Sequence, residues 1–74
     1  MEAYQQRVVE EKIDLDKRRD SLELFIGSGV FNALPKEERD LLMEQRSVMS
    51  LYSQVMWARI RRWREDLPEG VAEA

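Results

Sequence analysis

The three glycines and two prolines of this 74-residue chain fall into two short segments, and this distribution strongly constrains its fold. Gly27, Gly29 and Pro35 lie close together, and Pro68 and Gly70 lie near the C-terminal end. The long stretches between them contain neither residue type, as helices require, because glycine and proline destabilise helix interiors by about 1 and about 3 kcal/mol. The sequence therefore predicts two long helices separated by one break.

The first long stretch has the apolar spacing of an amphipathic helix over residues 3–26. Apolar side chains recur there every three or four residues, at Val8, Val9, Ile13, Leu15, Leu22, Phe25 and Ile26. Asp14 and Arg18 lie four residues apart, and so do Arg19 and Glu23. Each such pair of opposite charge is expected to stabilise the helix by about 0.2–0.5 kcal/mol. Gly27 is expected to end the helix in the left-handed conformation of a C-cap.

The second long stretch predicts a helix over residues 35–65, because proline suits the first turn of a helix and Pro35 stands at its start. A broad stripe runs along it, formed by Leu41, Leu42, Gln45, Val48, Met49, Tyr52, Val55, Met56, Arg59, Ile60 and Trp63. In the connector, residues 27–34, Phe31 and Leu34 are expected to close one end of the core. Residues 1–66 are thus predicted as a single helical domain, and residues 67–74 as a frayed tail.

The helix lengths and the width of this stripe predict self-association. At 1.5 Å per residue the helices are about 36 Å and about 46 Å long, so a hairpin leaves about two turns of the second helix without a partner. Those turns carry Trp57, Ile60 and Trp63, each worth about 1.5–3 kcal/mol when buried. Two helices also cannot cover so broad a stripe. We therefore expect an all-α hairpin with a long second helix, assembled into a compact homo-oligomer.

Composition argues against several kinds of chemistry. The chain has no cysteine and no histidine, which removes disulfides, thiol chemistry and the most common metal ligands. Its serines have no general base at a recognisable spacing. The carboxylates Glu10, Glu11, Asp14 and Asp16 are interpreted as solvated surface of the first helix. No enzyme activity, metal or cofactor is therefore expected.

Charge and hydropathy bear on location and partners. No apolar run reaches the length of a membrane span, and the first residues lack the features of a signal peptide. A cytoplasmic location without membrane association is therefore expected. The net charge of −3 argues against a general nucleic-acid binder.

Two cations, Lys12 and Arg19, interrupt the apolar seam of the first helix. A cation in such a seam needs an anionic partner or a path to water. One explanation is a side chain that reaches solvent or forms a salt bridge between subunits. The other is a phosphate site at a subunit interface, where Arg19 presents its donor fork to an anionic oxygen. Tyr4 lies too far from Arg19 to share a ligand in one chain, but an antiparallel two-fold interface would bring it to Arg19 and Ser21 of another copy.

Arginines are concentrated near the end of the second helix, where Arg59, Arg61, Arg62 and Arg64 surround Trp63. Cations there complement the negative end of the helix dipole. The same residues would also suit a nucleic-acid patch that combines phosphate contacts with stacking, or a small-ligand site that holds several phosphates at an oligomer axis. Arg59 continues the apolar stripe, whereas Arg61 and Arg62 are expected to point outward.

A pattern of spaced residues runs through both predicted helices. Its members are Gln6-Arg7-Val8-Val9-Glu10-Glu11, Leu15-Asp16, Leu22, Phe25-Ile26, Phe31, Leu34, Leu41-Leu42, Gln45, Met49, Tyr52-Ser53, Val55 and Arg59-Ile60. Over about residues 4–63 it resembles the anti-CBASS sponges, short helical phage proteins related to a small-protein family of crAss-like phages. The resemblance implies helical hexamers that sequester cyclic oligonucleotides without cleaving them, as phage counter-defence in the cytoplasm of the infected bacterium.

The resemblance also implies two kinds of site. Cyclic dinucleotides would bind between the N-terminal helices of paired protomers, where Tyr4 stacks on a base, Arg19 neutralises phosphate and Ser21 donates a hydrogen bond. Arg19 stands where the family pattern has lysine. Cyclic trinucleotides would bind where the long helices converge. There Arg59, or alternatively Arg62, would bind a phosphate.

Two other functions remain open from the residues alone. One is an inhibitor that binds a protein of another host defence system through the acidic first helix. The other is a small nucleic-acid-binding or structural helical protein that uses the arginine- and tryptophan-rich segment.

Overall fold

The computed structural model describes residues 2–63, which form three helices and no strand. Helix α1 spans Ala3–Ile26, α2 is the single turn Gly29–Asn32, and α3 spans Lys36–Trp63. Helices α1 and α3 lie side by side and run in opposite directions, because the start of α1 meets the end of α3 at the ring contact between Tyr4 and Trp63. In this part of the chain no helix is both long and apolar enough to cross a membrane. The predicted helix end near residue 65 and the predicted tail, residues 67–74, lie outside the described residues.

The connector between the long helices contains α2, which the sequence does not predict. The hydroxyl of Ser28 donates to the carbonyl of Phe25 at 2.6 Å and accepts from the N–H of Phe31 at 3.4 Å. It thereby closes α1 and caps α2. The predicted left-handed conformation at Gly27 is wrong, since its φ is −79° and its ψ is 0°. Because Ser28 makes the turn with its own hydrogen bonds, no residue with a positive φ is needed there.

Phe31 closes one end of the hairpin. It is buried, with 6 % of its surface exposed, and it meets Phe25 edge to face at a ring-centroid distance of 6.2 Å. Leu34, the other residue expected to close this end, is half-buried. The short helix α2 thus packs an aromatic side chain under the turn, where it shields the end of the core from water.

The last turns of α3 are covered by α1, so the predicted overhang of two turns is wrong. Met56 is fully buried, Ile60 is 2 % exposed, and the half-buried ring of Trp63 lies 5.6 Å from that of Tyr4. The reason is length: α1 has 24 residues and the described part of α3 has 28, so the two helices pair to their far ends.

Another face of α3 nevertheless carries apolar side chains that are exposed to solvent. They are Leu41, Val48, Leu51, Tyr52 and Val55, here named the α3 stripe, and each is 47–62 % exposed. Within residues 2–63 the buried side chains are those of Phe31, Ser53, Met56 and Ile60. The hairpin therefore covers one side of the broad stripe predicted from sequence and leaves an adjacent side open.

Two side-chain hydrogen bonds join α1 to α3. The hydroxyl of Tyr52 donates to Glu11 Oε2 at 2.9 Å, and that of Ser53 donates to Asp16 Oδ1 at 2.5 Å. The hydrogen bond and the negative charge of Glu11 both raise the pKa of Tyr52. These contacts help to set the register of α3 against α1, which determines which side chains of the two helices are adjacent in the middle of the hairpin.

Candidate ligand-binding clefts

A cleft of about 360 Å³ opens between α1 and α3 in the middle of the hairpin. It is here named the central cleft. Its lining residues are Lys12, Arg19 and Glu23 from α1, and Ser50, Ser53, Gln54 and Trp57 from α3. The cleft therefore combines two cations, a carboxylate, hydroxyl and amide groups, and an indole ring within one protomer.

Asp16 organises the cations of the central cleft. Its carboxylate accepts from Lys12 Nζ at 2.6 Å and from the Ser53 hydroxyl at 2.5 Å, and lies 3.4 Å from Arg19 Nη1. Burial alone would raise the pKa of Asp16, but the hydrogen bonds from Lys12 and Ser53 and the nearby positive charges outweigh it, so the pKa is lowered. The interpretation of Asp16 as solvated surface is therefore wrong: it is 26 % exposed and links three side chains.

Lys12 and Arg19 form salt bridges with carboxylates of the same chain. The side chains are 19 % and 25 % exposed, and Lys12 Nζ also lies 5.8 Å from the centre of the Trp57 ring. Arg19 Nη2 contacts Asp20 at 3.3 Å, and the predicted pair with Glu23 is absent from the salt bridges of residues 2–63. An ammonium carries three donors and a guanidinium five, so both groups keep donors for an incoming anion.

A second cleft, of about 410 Å³, lies at the far end of the hairpin and is lined by Arg59, Arg62 and Trp63. We name it the terminal cleft. The guanidinium of Arg59 lies 5.5 Å from the centre of the Trp63 ring, and Tyr4 meets the same ring edge to face. Arg61 is also exposed on this last turn. Arg64, the fourth arginine of the predicted cluster, lies outside the described residues.

The residues predicted to bind a cyclic dinucleotide do not meet within one protomer. Arg19 lines the central cleft, whereas Tyr4 lies beside Trp63 at the terminal cleft. Tyr4 and Arg19 are fifteen residues apart, which places them about 22 Å apart along the helix axis. Ser21 is exposed on α1. A site that uses all three therefore needs a second protomer.

Four α3 residues of the central cleft were not found from the sequence. Ser50 and Ser53 were interpreted only as surface or packing serines, Trp57 only as surplus apolar surface, and Gln54 was not considered. The available signal was their spacing of three, four and seven residues, which places them on one face of a helix. That spacing becomes informative only when the register of α3 against α1 is known.

Comparison with protein families gives a match over residues 2–62 to the family described as Sequestin. The chain belongs to the Sequestin family. Among the described residues, the matched range contains all those that line the central cleft, and of those that line the terminal cleft it leaves out only Trp63. Neither the curated proteins nor the solved structures give a significant match.

The two clefts of this Sequestin chain differ in charge. The central cleft sets two cations, Lys12 and Arg19, against the carboxylates of Asp16 and Glu23. The terminal cleft is lined, among the described residues, by arginine and tryptophan alone. As far as residues 2–63 are concerned, an anion meets nearly balanced charge in the middle of the hairpin and two arginines at its end.

Proposed function

We propose that this Sequestin is a non-enzymatic homo-oligomer that binds and sequesters cyclic di- and trinucleotide second messengers. Held by the protein, the signal cannot reach its effector, so CBASS-type immune signalling is blocked during phage infection in the host cytoplasm. One observation carries the proposal: each cleft combines arginine with an indole ring, the groups that a nucleotide's phosphate and base require. The family name, which denotes sequestration, supports it.

The proposed cyclic dinucleotide site is centred on Arg19. Its guanidinium and the ammonium of Lys12 already line one cleft, and both retain donors for phosphate oxygens. In the proposal, Tyr4 of a second protomer stacks on a base and Ser21 donates a hydrogen bond. Tyr4 is 52 % exposed and touches Trp63 edge to face, a geometry that leaves ring surface open for stacking.

The proposed cyclic trinucleotide site is the terminal cleft. Among the described residues, Arg59 and Arg62 supply positive charge without a lining carboxylate, and Trp63 supplies an aromatic face. Where the same helix ends of several protomers converge, these arginines would surround a ring of three phosphates. The approach of Arg59 to the Trp63 ring holds the guanidinium over an apolar surface, where it is less hydrated than in bulk water.

The α3 stripe supports the proposed assembly, for which we propose six copies. Five large side chains that are about half-exposed form one continuous face of α3. Each would contribute about 1.5–3 kcal/mol on complete burial, and correspondingly less from its half-exposed state. A second copy of the chain is the occupant we propose, because a short hairpin with few buried residues gains most from self-association.

The side chains available support binding without cleavage. The chain has neither histidine nor cysteine, which are common acid–base and nucleophilic groups. The carboxylate that bridges the cations of the central cleft, Asp16, is engaged with Lys12, Arg19 and Ser53. Its lowered pKa further weakens it as a general base near neutral pH.

A second candidate function is binding of single-stranded nucleic acid. The observation that favours it is on the last turn of α3, where Arg59 and Arg62 line the terminal cleft with Trp63, Tyr4 contacts the Trp63 ring, and Arg61 is exposed. Phosphate contacts and stacking are the two interactions such binding uses. Its signature is an affinity that falls steeply with salt.

Isothermal titration calorimetry against a panel of cyclic oligonucleotides tests the proposal. The panel contains cyclic di-AMP, cyclic di-GMP, cyclic GMP-AMP and cyclic tri-AMP, with a single-stranded oligonucleotide as the alternative ligand. The expected result is saturable binding of a cyclic ligand, recovered intact by mass spectrometry after the protein is digested with protease. Cleaved ligand would refute sequestration. Binding of the oligonucleotide alone would favour the second function, and binding of neither with capture of a host protein would favour a protein inhibitor.

A further inference from the structure

Glu23 faces the central cleft, and no cation of residues 2–63 forms a salt bridge with it. It lines the cleft together with Arg19 and Lys12. Arg19 pairs instead with Asp16 and Asp20, so the carboxylate of Glu23 is not neutralised by the nearest cation on its own helix. An anion that enters the cleft therefore meets a negative charge that no direct ion pair compensates.

The charge of the cleft limits how much negative charge a ligand can bring. Lys12 and Arg19 carry two positive charges, and Asp16, which is held ionised by its lowered pKa, already balances one of them. Glu23 offsets the other in the net charge of the cleft, and Asp20, which contacts Arg19 at 3.3 Å, adds a further negative charge nearby. A phosphodiester carries one negative charge, whereas a terminal phosphomonoester carries about −1.5 to −2 at pH 7. The second kind of phosphate meets stronger repulsion from Glu23.

We propose that Glu23 is a specificity-determining residue, which makes the central cleft select the phosphodiesters of cyclic dinucleotides over the terminal phosphomonoesters of linear nucleotides. The inference rests on the proposed function. It is a case of discrimination by a repulsive group: the carboxylate contributes little to the binding of the intended ligand and opposes its competitors. Discrimination of this kind matters to a sponge, because a cleft filled by linear nucleotides has no capacity left for the signal.

The size of the effect follows from Coulomb's law. One additional negative charge on the ligand, about 6 Å from the carboxylate in solvent-like surroundings, changes the affinity about threefold without salt and about twofold in about 50 mM salt. Glu23 is exposed, so the solvent-like value is the appropriate one. The effect on a diester is smaller, and screening by salt reduces both.

The test compares two ligands that differ in charge and share bases and phosphate count. Cyclic di-GMP and its linear form pGpG are titrated into wild type and Glu23→Gln by calorimetry in about 50 mM salt; cyclic di-AMP and pApA form a second pair. Removal of the Glu23 charge is expected to improve the affinity for the linear form up to about twofold more than that for the cyclic form. In about 500 mM salt this difference should shrink.

Glu10→Gln is the matched control, because Glu10 is also an exposed glutamate of α1 and does not line the central cleft. It removes the same charge from the protein and should leave the linear-to-cyclic ratio unchanged. A Glu23→Gln ratio equal to that of wild type, with cyclic binding intact, would overturn the inference and leave the proposed function standing. Absence of binding of every cyclic ligand to wild type would instead overturn the proposed function, and with it the inference.

Discussion

Replacement of Asp16 by asparagine removes the charge that joins the cations of the central cleft to α3. The asparagine side chain keeps an oxygen that can accept from Ser53, but its NH2 group cannot accept from Lys12, so the substitution removes the charge and one hydrogen bond. Hydrogen bonds to charged groups contribute about 1.5–3 kcal/mol, and an ion pair within a helix contributes about 0.3–0.5 kcal/mol. Because Asp16 is 26 % exposed and asparagine retains part of the hydrogen bonding, we expect the free energy of unfolding to fall by about 1–2 kcal/mol.

The pH dependence makes this prediction specific. The pKa of Asp16 in the folded chain lies below its ordinary value of 3.8, so its stabilising contribution is complete above about pH 5. The contribution is lost as the pH falls through the folded pKa, because the protonated carboxyl no longer pairs with Lys12 and Arg19. The difference between wild type and Asp16→Asn should therefore be largest near neutral pH and should disappear in strong acid.

Urea unfolding followed by circular dichroism at about 222 nm measures this difference at about pH 7 and about pH 2.5, at one protein concentration. Thermal unfolding should agree, with a fall in Tm of about 4–8 °C for each kcal/mol. Asp14→Asn is the matched control, since the Asp14–Arg18 pair has the same i,i+4 spacing as Lys12–Asp16 but is 61 % and 72 % exposed; its loss should cost at most about 0.5 kcal/mol. Equal effects of the two substitutions, or an Asp16→Asn effect unchanged in acid, would refute the reasoning.

Three other substitutions separate the clefts from the assembly. Arg19→Ala should abolish the calorimetric signal of a cyclic dinucleotide while light scattering reports an unchanged oligomer; full retained affinity would remove Arg19 from the site. Arg59→Ala should weaken cyclic tri-AMP at least about tenfold, since it removes a charge-assisted phosphate contact, and spare dinucleotide binding; equal losses for both ligands would contradict separate sites. Val48→Glu should lower the mass measured by light scattering, because Val48 is 59 % exposed on the α3 stripe; an unchanged mass would exclude this face as the interface.

The two long helices and the break between them could be predicted from the sequence, because they depend on residues that are close together in the chain. The helical spacing of α1 and the break near residue 27 follow from periodicity and from glycine placement. The conformation of Gly27 did not follow, because a side-chain hydrogen bond from Ser28 replaced the left-handed turn that glycine usually provides. The helical turn α2 was missed for the same reason.

The central cleft was only half predictable. Lys12 and Arg19 stood out because cations are unusual in an apolar seam, and both do line the cleft. Asp16 was interpreted as solvated surface, as a carboxylate on a charged helix usually is, although its spacing to Lys12 and Arg19 allows both ion pairs. Trp57 and Ser53 belong to α3, and their position opposite α1 depends on the register between the two helices.

In the proposed assembly, the broad apolar stripe of α3 would contact α1 on one side and a second protomer on the adjacent side. Met49, Ser53 and Met56 lie on the more buried side of α3, whereas Val48, Tyr52 and Val55, each one residue earlier, remain in water. Successive residues of a helix are separated by about 100° around its axis. In the proposed assembly, a second protomer that covers the exposed side would approach α3 at about 100° from α1, away from the buried Ser53 and Met56, and would contact Tyr52, which is hydrogen-bonded to Glu11 of α1. The second protomer of the proposed assembly would therefore add contacts to a hairpin that already contains both clefts.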